Sequence, residues 1–268
     1  MIYYMNKYTI FIIIIIIIFF CIKLLNINDN LQEKINNLLT IYSDNNPILD
    51  TNDIEWTGDL RINHTKIYNE YINFINNIHN PELHSQQVGK VAEKIDKNEK
   101  WKSIILYAFG KKTEYSKYFP YTMELLNNTP TTLAMFSIME PGAVLTPHKG
   151  VYSGVLRYHL ALKTPKEYTK CGISIYNNKE DKILKYNWEE GKDIYFDDMY
   201  THWVHNNTNE QRVILFVDIK KNFNNFFINI LNNIILFILK YNYNQDFVLN
   251  QDIIKINNLL KKNNVNKN

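Results

Sequence analysis

Three kinds of hydrophobic pattern follow one another along this chain, and the first is an unbroken apolar run. Residues 10–22 are all apolar, and with its flanks the stretch covers about 18 residues, close to the roughly 20 that cross a bilayer. A buried core helix is one alternative, but a run that includes seven consecutive isoleucines has no polar face. A cleaved signal peptide is the second, but no small-residue cleavage site follows. The pattern favours an uncleaved single-pass anchor, and the lysines on both sides specify its orientation only weakly.

Helical periodicity comes next. Residues 26 to about 55 are polar and suit a stalk or a short helix. Ile67, Tyr71, Phe74 and Ile78 then recur three and four positions apart, which predicts one buried helical face.

A second helical pattern lies near the carboxyl end, at residues 226–239. Asn229, Asn232 and Asn233 are three and four positions apart in an otherwise apolar stretch, so they share one face. This favours an amphipathic helix over a membrane span. Its apolar face would either cover the sheet or lie on a membrane.

Between these helical regions the hydrophobic pattern is typical of strands. At least six short apolar segments are separated by turn signals such as the Glu-Pro-Gly sequence at residues 140–142. The segments are residues 101–110, 132–139, 155–162, 172–176, 193–196 and 212–219. A βαβ arrangement would need long helical patterns between strands, and these are missing. The spacing therefore predicts a β-sandwich or barrel.

Composition and charge narrow the range of partners. The formal net charge of the 268 residues is +3, and no basic stripe is interleaved with aromatics, so no nucleic-acid partner is expected. The chain has two cysteines, Cys21 and Cys171. Because Cys21 lies inside the apolar run, an internal disulfide is not expected, and no cysteine-based zinc spacing exists.

Three of the seven histidines stand out by their context: His148, His159 and His202. His148 directly precedes a Lys-Gly turn, just outside a strand. Because side chains alternate along a strand, His159 shares one face with Arg157, while apolar neighbours occupy the other. A cation and an imidazole on a strand that is not charged like a solvent surface suggest a polar interior that binds an anion.

Arg212 supplies the second cation. It begins an apolar strand on which Ile214, Phe216 and Asp218 share its side. The alternative is an ordinary edge arginine at the entrance of the strand. Two imidazoles and two arginines on neighbouring strands would suit Fe(II) and a dicarboxylate cosubstrate.

Six segments containing these residues resemble, in order and internal spacing, the aspartyl/asparaginyl β-hydroxylase family. They are residues 136–142, 147–150, 156–160, 188–192, 196–202 and 212–218. The resemblance covers roughly residues 100 to 220. It implies a mainly β fold with flanking helices, in which a double-stranded β-helix (a jelly-roll, cupin-like barrel) forms the catalytic core.

The resemblance also implies a set of site residues. His148 and His202 would be the catalytic metal ligands, binding Fe(II). Related oxygenases carry an acid two residues after the first histidine, where this chain has Gly150, so water would fill that position. Asp197 and Asp198 are interpreted as turn residues or residues beside the ligands. The residues that would bind 2-oxoglutarate are Trp101, Ser137, Arg157, His159 and Arg212.

The implied activity is that of a dioxygenase that consumes 2-oxoglutarate and O2 and hydroxylates an unactivated carbon. Animal relatives act on Asp or Asn side chains of proteins, and bacterial relatives act on acyl chains of membrane lipids. We take the Asp/Asn substrate as the first expectation and the lipid as its alternative. The anchor fits both, whereas the apolar carboxy-terminal helix slightly favours the lipid. A third reading is a jelly-roll binding module that has lost its iron.

The expected organisation has four parts. They are a transmembrane anchor at residues 1–26, a stalk and helical segment at 27–99, the oxygenase domain at 100–222 and a helical segment at 223–268. The expected location is a membrane, with the endoplasmic reticulum or another endomembrane as the candidate compartment.

Overall fold

A computed structural model describes residues 29–43, 46–52, 54–77, 95–96 and 99–242 of the chain. The predicted anchor at residues 1–26 lies outside this part, as does the tail after residue 242. Among the helices that the structure describes, none is long and apolar enough to span a bilayer.

The described residues contain five α-helices, four of which precede the middle of the chain. They are Asp29–Ile41 (α1), Glu55–Ile62 (α2), His64–Asn77 (α3), Pro120–Asn127 (α4) and Phe226–Asn242 (α5). The helical face predicted around residue 70 is confirmed for Ile67, Tyr71 and Phe74, which are buried on α3. Ile78 lies outside the described residues.

Eleven strands are present in the same part of the chain. They are Ile48–Leu49 (β1), Trp101–Ala108 (β2), Lys111–Lys112 (β3), Thr131–Met139 (β4), Val144–His148 (β5), Val155–Lys163 (β6), Cys171–Asn177 (β7), Lys182–Asn187 (β8), Asp193–Phe196 (β9), His202–Asn206 (β10) and Arg212–Lys220 (β11). All six predicted strands are confirmed. His148, expected just outside a strand, is instead the last residue of β5.

The described strands form two antiparallel sheets. The large sheet has the order β1-β9-β6-β11-β4-β2-β3 and the small sheet the order β5-β10-β7-β8. One apolar core joins Met135 and Phe216 of the large sheet to Ile173 and Val204 of the small sheet, so the two sheets pack face to face. This arrangement is a jelly roll, which confirms the predicted mainly β fold with flanking helices.

The large sheet is buried on both faces. Val213, Leu215 and Val217 of β11 pack in a core with residues of α2, α3 and α4. Ile214 and Phe216, which alternate with them, point between the sheets. The helices therefore close the outer side, and the inner face of β11 is left to build the interior between the sheets.

Helix α5 packs against α1 beside the jelly roll. Ile35 and Leu39 of α1 form one apolar cluster with Ile228, Ile235 and Ile238 of α5. The expectation that Asn229, Asn232 and Asn233 mark a common outer face is wrong for Asn232, which is 1% exposed. Its side-chain amide donates to the carbonyls of Gly154 and Lys221, both at 3.0 Å, and so fastens α5 to the end of the large sheet.

Candidate active site

His148 and His202 face each other on neighbouring strands of the small sheet. They are direct partners in the pairing of β5 with β10, and their ring centroids are 4.2 Å apart. The Nδ1 of His148 lies 2.7 Å from the carbonyl of Thr146, and that of His202 lies 2.9 Å from the carbonyl of Tyr200. Because Nδ1–H donates to these carbonyls, the lone pair of each neutral ring resides on Nε2.

Both imidazoles are neutral at physiological pH. Burial lowers the pKa of His202 to about 3, and the nearby His148 acts in the same direction. Burial also lowers the pKa of His148, and this outweighs its hydrogen bond to the carbonyl of Thr146. Neutral imidazoles with free Nε2 atoms are the form in which histidine binds a metal ion.

The carboxylate nearest to Gly150, two residues after His148, belongs to Asp198 on the facing turn. The Cβ of any side chain at Gly150 would overlap the Asp198 carboxylate. The amide of Gly150 donates to the carbonyl of Asp198 at 2.7 Å, which holds the two backbones together. Glycine at position 150 therefore makes room for the acidic side chain of the facing turn.

Arg157 is held by two carboxylates. Its Nε donates to Asp218 Oδ1 at 2.8 Å, and its terminal nitrogen lies 2.8 Å from Asp198 Oδ2. Burial alone would lower the pKa of Arg157, but Asp198 and Asp218 more than offset it, so this pKa is raised. Burial raises the pKa of Asp198 to about 7, although Arg157 opposes this shift. The charge of Arg157 is thus already paired inside the chain.

Arg212 has the opposite environment. It is 2% exposed, and among the described residues no carboxylate lies within ion-pairing distance of it. Its terminal nitrogen donates to Ser137 Oγ at 3.2 Å, and the indole Nε1 of Trp101 donates to the same Oγ at 2.8 Å. Its guanidinium carbon lies 4.5 Å from the ring centroid of Trp188. A buried cation left without a counter-charge is a ready site for an anionic ligand.

His159 lies in the same interior. It is buried, and neither ring nitrogen has a hydrogen-bond partner among the described residues. Burial lowers its pKa well below the usual range, and Arg157, Arg212 and His202 act in the same direction. It is therefore a neutral imidazole with unused hydrogen-bonding capacity, facing two arginines.

A cavity of about 260 Å³ opens onto the histidine pair at His148. The charged residues of its lining are Lys149, Arg157, Asp198 and Asp218. The rest of its lining is mostly apolar and consists of Ile95, Trp101, Ile105, Phe109, Leu133, Met135, Val151, Val155 and Phe216, with Thr132 and Tyr152 among the exceptions. A molecule that reached His148 through this cavity would be in contact mainly with hydrocarbon.

These groups fit iron and a dicarboxylate. Two neutral imidazoles suit Fe(II), and among the described residues no three His, Cys, Asp or Glu side chains are close enough to share one ion. Exchangeable positions would therefore remain for a cosubstrate and water. The unpaired Arg212 and the unpartnered ring nitrogens of His159 would receive a carboxylate.

All seven residues predicted for the site lie around this interior. His148 and His202 come from the small sheet; the five from the large sheet are Trp101, Ser137, Arg157, His159 and Arg212. Sequence reasoning missed that Asp218 pairs with Arg157 and that Trp188 packs on Arg212. The alternation that placed Asp218 on the side of Arg212 was the available signal for the first contact. The second depends on a loop and had no local signal.

The fold and the interior site define a jelly-roll protein whose polar centre is built on two histidines and a buried arginine. A family model described as aspartyl/asparaginyl beta-hydroxylase matches residues 61–222, and this chain belongs to that family. The resemblance stated from the sequence is thereby confirmed.

Individual relatives bear two different descriptions. The chain is 36% identical over 180 residues to an ornithine lipid ester-linked acyl 2-hydroxylase of Rhizobium tropici, covering 66% of this chain and 61% of that one. It is also 36% identical over 126 residues to the human aspartyl/asparaginyl beta-hydroxylase, covering 44% of this chain and 16% of that one. A prolyl-4-hydroxylase of Pseudomonas putida superposes with a TM-score of 0.40 at 13% identity, covering 62% of this chain and 88% of that one.

Proposed function

We propose that this chain is an iron(II)- and 2-oxoglutarate-dependent hydroxylase that acts on the aliphatic chain of a lipid. The observation that carries the proposal is the combination of two neutral histidines, an uncompensated buried arginine and a mostly apolar cavity lined by one of the histidines. Membership of a hydroxylase family supports the same reaction class.

Different residues would bind the iron and the cosubstrate. His148 and His202 would ligate the iron through Nε2. Arg212 and Ser137 would hold the far carboxylate of 2-oxoglutarate, with Trp101 orienting the Ser137 hydroxyl. When bound, iron with 2-oxoglutarate and O2 supplies the oxidising power for hydroxylation, and succinate and CO2 are the other products.

Two further residues shape the site. His159, neutral and unpartnered, offers one ring nitrogen to the cosubstrate. We assign Arg157 to holding Asp198 against Gly150, because its guanidinium is already bound by Asp198 and Asp218. No side chain has to act as an acid or base at the carbon that is hydroxylated, so the chain's task is to orient the reactants and exclude water.

The cavity lining supports a lipid over a peptide. An Asp or Asn side chain would bring polar groups into a space lined mostly by hydrocarbon, where each unpaired group costs about 1–3 kcal/mol. The ornithine lipid relative also covers more of this chain than the human relative does. Hydroxylation of Asp or Asn in a protein remains the second candidate, favoured by the 36% identity to the human relative. The apolar run at residues 10–22 supports a membrane location for either substrate.

The test uses the full chain, purified in detergent and supplied with Fe(II), 2-oxoglutarate and O2. Membrane lipids and Asp- or Asn-containing peptides are offered in parallel, and mass spectrometry measures succinate and the gain of one oxygen atom. Oxygen gain on lipid acyl chains supports the proposal. Oxygen gain on peptides alone would show that the substrate is a protein and not a lipid. If no succinate forms with any substrate, the enzyme assignment is overturned.

The metal assignment is tested separately by iron content. His148→Ala and His202→Ala are expected to lose bound iron. The control is His205→Ala on the same strand, because His205 is half-buried on the opposite face of β10. If the two variants retained iron at the wild-type level, the metal site would be elsewhere.

A further inference from the structure

The outward side of α5 is apolar along most of its length. Phe226, Phe227, Ile230 and Phe237 are 72%, 76%, 40% and 60% exposed. Residues 226, 230, 233, 237 and 240 are spaced four and three apart and are all exposed, so they form one stripe. We call this stripe, together with Phe227, the α5 outer face. A solvent-facing helix surface normally carries charged and polar residues instead.

Positive charge lies at the carboxyl end of the α5 outer face. The Lys240 side chain lies against Gly110, close to where a Cβ at that position would be. Gly110 directly precedes Lys111 and Lys112, the edge strand β3. Three lysines therefore flank the apolar stripe. Aromatic and aliphatic residues bordered by lysines are typical of helices that lie in the interface of an anionic bilayer.

The α5 outer face also borders a cavity that adjoins the candidate active site. Leu236, Phe237 and Lys240 line a second cavity, of about 210 Å³. Phe109 and Thr132 line both this cavity and the one that reaches His148. The cavity beside Phe237 therefore adjoins the one that reaches His148, with Phe109 and Thr132 as their shared wall.

The apolar run at residues 10–22 lies only a few residues before α1 in the sequence. The apolar run ends at residue 22, and α1, which packs against α5, begins at Asp29. The six intervening residues span at most roughly 20 Å. If the run enters a bilayer, α1 and the adjoining α5 are tethered close to its surface.

We propose that the α5 outer face lies in the interface of an anionic bilayer, with its phenylalanines among the acyl chains and with Lys240, Lys111 and Lys112 among the headgroups. This contact presents the cavity beside Phe237 to lipids of the same bilayer. The membrane contact stands on the surface itself, whereas its role in delivering substrate rests on the proposed function.

The contact is tested in the full chain, reconstituted as one copy per lipid nanodisc that contains an anionic phospholipid. In a Cys21→Ser, Cys171→Ala background, an environment-sensitive dye is attached at Phe227→Cys or Phe237→Cys. The control site is Ile183→Cys, because Ile183 is a large apolar residue, 48% exposed on β8 and away from α5 in the sequence. Nitroxide-bearing lipids should quench the dyes at 227 and 237 but not the dye at 183. Quenching should weaken when the anionic lipid is replaced by a zwitterionic one.

Two other occupants give different results. If the chain's own carboxyl-terminal tail covers the α5 outer face, both dyes are shielded from lipid-borne and aqueous quenchers alike. If a second copy of the chain covers it, the dyes are open to an aqueous quencher in single-copy nanodiscs. Either result overturns the proposal.

Delivery is tested with Phe226→Asp/Phe227→Asp against Ile183→Asp, because neither Phe226 nor Phe227 lines a cavity described above. The double variant should lose at least ten-fold in kcat/KM on acyl lipid in anionic vesicles, yet turn over a soluble short-chain analogue at the wild-type rate. Equal losses on both substrates would overturn the delivery role. If the wild type turns over neither substrate, the proposed function fails, while the quenching result still decides the membrane contact.

Discussion

At the scale of single residues, Arg212 is expected to lower the stability of the fold and to strengthen the binding of 2-oxoglutarate. It is a fully buried cation without a carboxylate partner in the part of the chain that the structure describes. We expect Arg212→Met to weaken 2-oxoglutarate binding about 10- to 100-fold, since a hydrogen bond to a charged group contributes about 1.5–3 kcal/mol. The metal-free variant should unfold at the same or higher urea concentration, because an uncompensated buried charge is removed. Calorimetric titration and urea unfolding measure the two effects.

Arg61→Met is the matched control for Arg212. Arg61 lies outside the cavity and donates to Asp193 at 2.9 Å. Its removal should lower stability slightly and leave 2-oxoglutarate affinity unchanged. Wild-type affinity in Arg212→Met would refute the assignment of this arginine.

Gly150 is the second residue considered at this scale, and the close approach of the Asp198 carboxylate explains why it is a glycine. A methyl group there would overlap the Asp198 carboxylate and push it away from Arg157. We expect Gly150→Ala to lower the free energy of unfolding by about 1–3 kcal/mol, the usual cost of overpacking. Asp198→Ala in the same chain should recover much of this loss, because the obstructed group is gone and Arg157 keeps Asp218. A double-mutant cycle by urea unfolding measures the coupling, and strictly additive effects would contradict the steric explanation.

At the scale of elements, one buried side chain, Asn232, links α5 to the end of the large sheet. Asn232 donates to two carbonyls of the large sheet's end, whereas its neighbour Asn233 is exposed. Asn232→Leu should therefore destabilise the protein by about 2–4 kcal/mol, because two buried acceptors lose their partner. Asn233→Leu should stay within about 0.5 kcal/mol of wild type. Thermal and urea unfolding distinguish the two, and equal effects would show that Asn232 does not fasten the helix.

The hydrophobic pattern predicted those strands whose own residues are mostly apolar. β6 and β11 were predicted with bounds correct to within one residue, because apolar side chains alternate with a few polar ones over eight or nine positions. β10 has the sequence His-Trp-Val-His-Asn, which shows no apolar run, and it becomes a strand through pairing with β5 and β7. The prediction that Asn232 lies on the outer face of α5 failed for a related reason, because contacts outside the helix place this residue. In a helix this apolar, the side that faces inwards is decided by the backbone carbonyls available to Asn232.

The sequence predicted which residues share a face of a strand, but not which of them contact each other. Alternation placed Arg157 with His159, and Arg212 with Asp218, on common faces. The pairing of Arg157 with Asp218 follows only from the register of β6 against β11, in which these two residues are direct partners. Strand register is a property of the whole sheet, so the distinction between the compensated Arg157 and the uncompensated Arg212 could not be made from spacing.

At the scale of the whole molecule, the two halves of the candidate site belong to different sheets. His148 and His202 lie on β5 and β10 of the small sheet, whereas Ser137 and Arg212 lie on β4 and β11 of the large sheet. A metal ion alone would tie together strands of one sheet. A cosubstrate that binds the metal at one end and Arg212 at the other would tie the two sheets to each other.

Hydrogen exchange should reveal this order. A redox-inert ion such as Zn²⁺, which imidazoles also bind, prevents turnover. Added alone, it should slow amide exchange mainly in β5 and β10. Addition of 2-oxoglutarate at a hundred times its dissociation constant stabilises the native state by about 2.7 kcal/mol, and protection should then extend to β4 and β11. In Arg212→Met the first effect should persist and the second should vanish. If 2-oxoglutarate protected β11 equally in that variant, the far carboxylate would not bind Arg212, and the two sheets would be joined by other contacts.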